Sequence, residues 1–118
     1  MLVVDDDADI RGVVVDLLTS EGYRVLEAQN GREALNVLES GRPSVVVLDL
    51  MMPVMNGWEF LALRRQRSDL AEIPVLVITA QADASVDADR VLSKPFDLDE
   101  FVDIVHGLAL RSGGSPRA

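Results

Sequence analysis

The chain has 118 residues, 48% of them hydrophobic, no cysteine and a formal net charge of −9. That length suits one domain with a sizeable core, and the hydrophobic share argues against disorder. The missing cysteines exclude disulfides and thiolate metal sites and fit a reducing compartment. The acidic balance disfavours direct contact with nucleic acid or anionic lipid, and suits a divalent cation or a basic partner surface.

Leu2 to Val4 reads as a short buried strand. Asp7 to about Thr19 reads as a helix with Ile10, Val13, Val14, Leu17 and Leu18 on one face. Glu21-Gly22 ends it, and Tyr23 to Leu26 is the expected second strand. Asn30-Gly31-Arg32-Glu33 has capping-box spacing and opens a helix carrying Ala34, Leu35 and Leu38, which Gly41-Arg42-Pro43 stops. Ser44 to Leu48 is a continuously apolar third strand, expected to be covered on both faces. Asn56-Gly57-Trp58-Glu59 repeats the capping spacing and starts a helix to about Arg67. Pro74 to Ile78 is the fourth strand. Residues 81–89 are short and polar, with room for one or two helical turns, and Arg90 to Leu92 is the fifth strand. Asp97-Leu98-Asp99-Glu100 caps a last helix with Leu98, Phe101, Val102, Val105, Leu108 and Ala109 on one face. Residues 1–111 then form one domain, and 112–118 a flexible tail or linker start. The longest apolar runs, four or five residues, fall far short of the roughly 20 that span a bilayer. With no basic-then-apolar opening segment, the expected location is cytoplasmic.

Five strands alternating with helices imply an α/β fold: a three-layer sandwich around a parallel sheet. Right-handed crossovers favour the doubly wound form, with strand order 2-1-3-4-5. Open parallel sheets bind ligands beyond the carboxyl ends of their strands. Four apolar runs here end in polar residues: Asp5-Asp6, Asp49, Thr79, and Ser93-Lys94, the last containing the chain's only lysine. In that order, Asp5-Asp6 and Asp49 face each other across neighbouring strands. Carboxylates roughly 5 Å apart repel by about 3 kcal/mol at an effective dielectric near 20. Such a trio needs a raised pKa or a cation, and Mg²⁺ suits it while leaving positions for phosphate oxygens. Asp49, alone at its strand tip, suits a carboxylate nucleophile that accepts a phosphoryl group. Lys94 would neutralise a phosphoryl oxygen and Thr79 would donate to one.

Other residues have plainer readings. Asp7 reads as a helix N-cap and Asp9 as solvent-exposed, with Asp5 and Asp6 taken alone evenly balanced. His106 reads as surface, and Trp58 with Met51, Met52 and Met55 as packing.

Asp49-Leu50-Met51-Met52-Pro53-Val54-Met55-Asn56-Gly57 resembles the phospho-acceptor segment of two-component response-regulator receiver domains. Val3-Val4-Asp5-Asp6 resembles their acidic-pair segment, and Val77-Ile78-Thr79-Ala80 and Ser93-Lys94-Pro95-Phe96 resemble the other two signature segments. The resemblance covers about residues 1–111. It implies a signalling switch rather than a metabolic enzyme, with intrinsic Mg²⁺-dependent autophosphorylation and autodephosphorylation. Asp49 would be phosphorylated by a sensor histidine kinase or histidine phosphotransfer protein. Asp6 would hold Mg²⁺ directly and Asp5 largely through water, with Asp49 and the Met51 backbone carbonyl completing the set. Thr79 and Lys94 would contact the phosphoryl group, Ala80 would leave it room, and Lys94-Pro95 would be a cis peptide. Met51 and Gln81 lie where the family tunes dephosphorylation.

Two departures stand out. Val91 occupies the position of the family's switch aromatic. Only 14 residues separate Thr79 from Lys94, about seven fewer than the family pattern, or roughly two helical turns. The family's fourth helix is therefore expected to be shortened or absent, and dimerisation through its face is not expected. The alternative reading is a pseudo-receiver, an interaction module not switched by phosphate. A metal-dependent phosphohydrolase on a similar sheet would need an acid or base two residues after the nucleophile, where Met51 stands.

Overall fold

The computed structural model describes residues 1–80, 86 and 88–111. Five parallel strands, β1 (Leu2–Val4), β2 (Leu26–Ala28), β3 (Val46–Asp49), β4 (Val75–Thr79) and β5 (Arg90–Ser93), form one sheet in the order β2-β1-β3-β4-β5. Helices α1 (Ala8–Ser20), α2 (Gly31–Ser40), α3 (Gly57–Gln66) and α4 (Leu98–Arg111) flank it. The doubly wound order expected from the sequence is the observed one.

Alternation along the strands divides the core in two. Val3, Val47, Leu76 and Ile78 face Val14 and Leu18 of α1 and Phe101, Val105 and Leu108 of α4. Leu2, Val4, Val46, Leu48, Val75 and Val77 face Ala34 and Leu38 of α2 and Phe60 and Leu61 of α3. Both faces of the central strands are thus dry, which explains their unbroken apolar sequences. Each fully buried Val or Leu contributes about 1.5–3 kcal/mol of transfer free energy. Among the described residues no helix is long and apolar enough to cross a membrane.

Helix entry follows the sequence closely. The Asp7 carboxylate accepts the amides of Asp9 and Ile10 at 2.9 and 3.2 Å and caps α1. Asn56 and Glu59 form a complete, reciprocal capping box on α3. At α2 only half of the expected box forms. Asn30 accepts the Glu33 amide, but the Glu33 carboxylate turns back to the backbone and side-chain amides of Gln29.

Three expectations need correction. The second strand begins at Leu26 rather than Tyr23. The Tyr23 amide still bonds the Leu18 carbonyl at the end of α1, and Gly22, at φ 95°, turns the chain there. β1 offers only three residues, and their partners are Leu26, Glu27 and Ala28. The apolar stripes of α1 and α4 are narrower than the sequence pattern predicts. Val13 and Leu98 are exposed, because they lie at the rim of an open groove beside Lys94-Pro95-Phe96 instead of under the sheet. Trp58 and Met51 are also exposed, whereas Met52 is buried and Met55 packs against the core. The segment expected to hold the family's fourth helix in shortened form or not at all, Gln81 and the tail at 112–118 fall on residues outside those described.

Candidate functional site

The strand register assembles the site. Val4 pairs with Leu48, so Asp5, one residue past β1, stands beside Asp49 at the tip of β3. On the other side Asp49 pairs with Ile78, and Thr79 pairs with Ser93, one residue before Lys94. The Lys94 amide donates to the Thr79 carbonyl at 2.8 Å. The peptide that follows, Lys94-Pro95, is cis as expected.

Carboxylate oxygens of Asp5, Asp6 and Asp49 lie within 4.8 Å of one another. Asp5 and Asp49 are buried, while Asp6 opens to solvent. The Lys94 ammonium reaches between the buried pair, 3.4 Å from Asp5 and 3.6 Å from Asp49. The Asp7 amide donates to Asp5 at 2.9 Å and the Met51 amide donates to Asp49 at 3.3 Å. Thr79 is fully buried at the end of β4, and Ala80 beyond it is exposed.

Three carboxylates face one ammonium, and the imbalance shows in the protonation of Asp49. Burial and the neighbouring Asp5 carboxylate push its pKa from 3.8 up to about 6, with Asp6 adding to the rise. Lys94 and the Met51 amide pull the other way and do not win. A charge deficit enclosed by carboxylate oxygens, with one ligand open to water, suits a hard divalent cation.

The loop after Asp49 is held by close approaches that only glycine allows. A Cβ on Gly57 would lie 2.7 Å from the Leu50 Cα and 3.0 Å from the Asp49 carbonyl oxygen. The Gly57 amide donates to the Leu50 carbonyl at 2.9 Å, anchoring the start of α3 under the site. Between them Val54 adopts φ 70°, a left-handed conformation that β-branched residues avoid.

Every residue proposed for the site from the sequence therefore converges at one sheet edge: Asp5, Asp6, Asp49, Thr79 and Lys94, with Met51 beside them. Sequence reasoning missed Arg11. From the first turns of α1 its guanidinium donates to the Asp5 carbonyl at 2.7 Å and to Glu27 of β2 at 3.0 Å. It also missed the partners of His106, whose Nδ1 shares a hydrogen bond with the Tyr23 hydroxyl and whose Nε2 lies 3.2 Å from a Glu21 carboxylate oxygen. No local pattern signals either contact, because each joins separate elements.

Residues 1–106 match the family model of the response regulator receiver domain. The chain belongs to that family. It is 41% identical over 119 residues to response regulator MprA of Mycolicibacterium vanbaalenii, a match covering 95% of this chain and 51% of the relative. It is 38% identical over 102 residues to the probable transcriptional regulator ycf27 of Porphyra purpurea, covering 86% of this chain and 40% of that protein. The receiver thus spans about half the length of these curated relatives or less. Among solved structures, the signal receiver domain of a histidine kinase from Syntrophus aciditrophicus superposes with a TM-score of 0.88 at 27% identity, covering 93% of this chain and 89% of that one. Response regulator TrrA from Thermotoga maritima, in complex with Mg²⁺–BeF, superposes with a TM-score of 0.81 at 34% identity, covering 91% of this chain and 96% of that one.

Proposed function

We propose that this receiver is an active phosphoacceptor switch, in which Asp49 takes a phosphoryl group from a phosphohistidine on a sensor kinase or phosphotransfer protein. The observation that carries the reading is a buried Asp49 enclosed by Asp5, Asp6 and Lys94 with more negative than positive charge. An Asp49 carboxylate oxygen attacks phosphorus, the P–N bond breaks, and the imidazole leaves after taking a proton from solvent. With a pKa of about 6, Asp49 is mostly ionised at neutral pH and available as the nucleophile. Lys94, already within 4 Å of Asp49, balances charge on the transferred group, and the buried Thr79 at the adjoining strand end donates to it. Mg²⁺, held by Asp5, Asp6, Asp49 and the Met51 backbone carbonyl, would supply the remaining neutralisation of phosphoryl oxygens. The exposed Met51 side chain is compatible with a role played by its backbone alone.

On this reading residues 1–111 are the receiver unit, 112–118 a tail or linker start, and the location cytoplasmic. The unit itself makes no contact with nucleic acid or membrane, as the net charge of −9 on the 118-residue chain favours. Some relatives, of which this chain matches only part, are named probable transcriptional regulators. The short stretch between Thr79 and Lys94 disfavours dimerisation through the family's fourth-helix face.

The test is phosphorylation by acetyl phosphate with Mg²⁺, read by intact mass. The gain of one phosphoryl group by the wild type and none by Asp49→Ala is the expected result. No adduct, together with no Mg²⁺-dependent beryllofluoride binding, would favour the pseudo-receiver.

A further inference from the structure

The acidic pair differs in how its members are held. The Asp5 amide donates to the Ala28 carbonyl of β2 at 3.1 Å, and its carboxylate accepts from the Asp7 amide and lies against Lys94. Asp6 has no such tethers: among the described residues, no hydrogen bond reaches its amide or carboxylate. The Asp5 carbonyl belongs to the peptide that carries Asp6, and Arg11 Nη1 donates to that carbonyl at 2.7 Å. The guanidinium is itself braced by Glu27, 3.0 Å from Nε, and its side chain is only 18% exposed. Arg11 therefore fixes the plane of the peptide from which the exposed ligand projects.

We infer that Arg11 is a positioning residue for Mg²⁺: it bridges the Asp5 carbonyl to Glu27 and so aims Asp6 at the cation. The inference rests on the phosphoacceptor reading above and deepens it. Charge and positioning make opposite predictions here. A guanidinium beside the carboxylates repels a cation, so its removal should tighten Mg²⁺ binding if charge alone mattered. If Arg11 aims the ligand, its removal weakens binding, as loss of outer hydrogen bonds does at metal sites.

The experiment is calorimetric titration of the full chain with Mg²⁺, well below the melting temperature. Wild type, Arg11→Met and Arg11→Lys are compared, each with its melting curve. Arg11→Met keeps most of the apolar stem and should bind Mg²⁺ about tenfold more weakly. Arg11→Lys keeps the charge but cannot fork to both acceptors. It should fall between the other two, and it carries the test if Arg11→Met does not fold. Mg²⁺ affinity in the folded variants equal to or tighter than wild type, even with a lowered melting temperature, would overturn the inference and leave Arg11 a structural brace. Absence of Mg²⁺ binding by the wild type would instead overturn the phosphoacceptor reading, and this inference with it.

Discussion

Replacing Asp49 with asparagine should stabilise the metal-free protein at neutral pH, and the gain should fade in mild acid. Asparagine keeps the size of the side chain and an oxygen for the Met51 amide, but removes the carboxylate that Asp5 and Asp6 oppose. The folded pKa of Asp49, about 6, lies above its unfolded value of 3.8. The folded state therefore binds the proton more tightly, and stability falls as pH rises through that window. Above the window the ionised carboxylate costs about 3 kcal/mol, from roughly two pKa units at 1.36 kcal/mol each. Near pH 4.5 the same linkage leaves about 1 kcal/mol. The pKa of about 6 already includes the attraction to Lys94, so a gain of about 3 kcal/mol near pH 8 is expected, shrinking by about 2 kcal/mol near pH 4.5. Urea unfolding in a chelating buffer at the two pH values measures it. An Asp49→Asn protein less stable than wild type near pH 8, or a difference that does not change with pH, would refute the charge argument. Mg²⁺ at about 1,000 times its Kd should reverse the order, since it then adds about 4.1 kcal/mol to the protein that binds it.

Gly57→Ala should cost about 1–3 kcal/mol, because the new Cβ meets backbone of Leu50 and Asp49 that cannot turn aside; thermal melts read the loss, and Mg²⁺ affinity should fall with it. Val54→Gly should raise stability by roughly 0.5–1 kcal/mol. It relieves about 1–2 kcal/mol of left-handed strain and returns part of it as chain entropy, while Val54, 72% exposed, gives up little burial; equal or lower stability in urea would count against strain there. Arg64→Met should cost about 2 kcal/mol, since buried Arg64 donates to the Ala71 and Ile73 carbonyls at 2.8 and 2.5 Å and methionine cannot; denaturant midpoints would show it.

The sequence by itself determined the element order, both helix faces of the sheet and which polar residues stand at the strand ends. Continuous apolar runs such as Val45 to Leu48 can only be central strands, and the polar residues after them can only sit at the sheet's carboxyl edge. Local rules also placed the caps at Asp7 and Asn56, because capping is a bond between residues two or three apart. They failed where a contact crosses elements. The start of β2 was set by the length of β1 and by Tyr23 turning into the core. The exposure of Val13 and Leu98 was set by where the sheet ends. The second half of the α2 box is a local exception, taken by Gln29 one residue before the cap. Tertiary structure alone decided how the site is balanced. The raised pKa of Asp49 comes from its burial and from Asp5, against the pull of Lys94; these groups are distant in sequence, and Coulomb terms depend on distance and burial rather than on order along the chain. The same holds for Arg11, which reads as an ordinary helix arginine until folding lays it across the Asp5 carbonyl and Glu27.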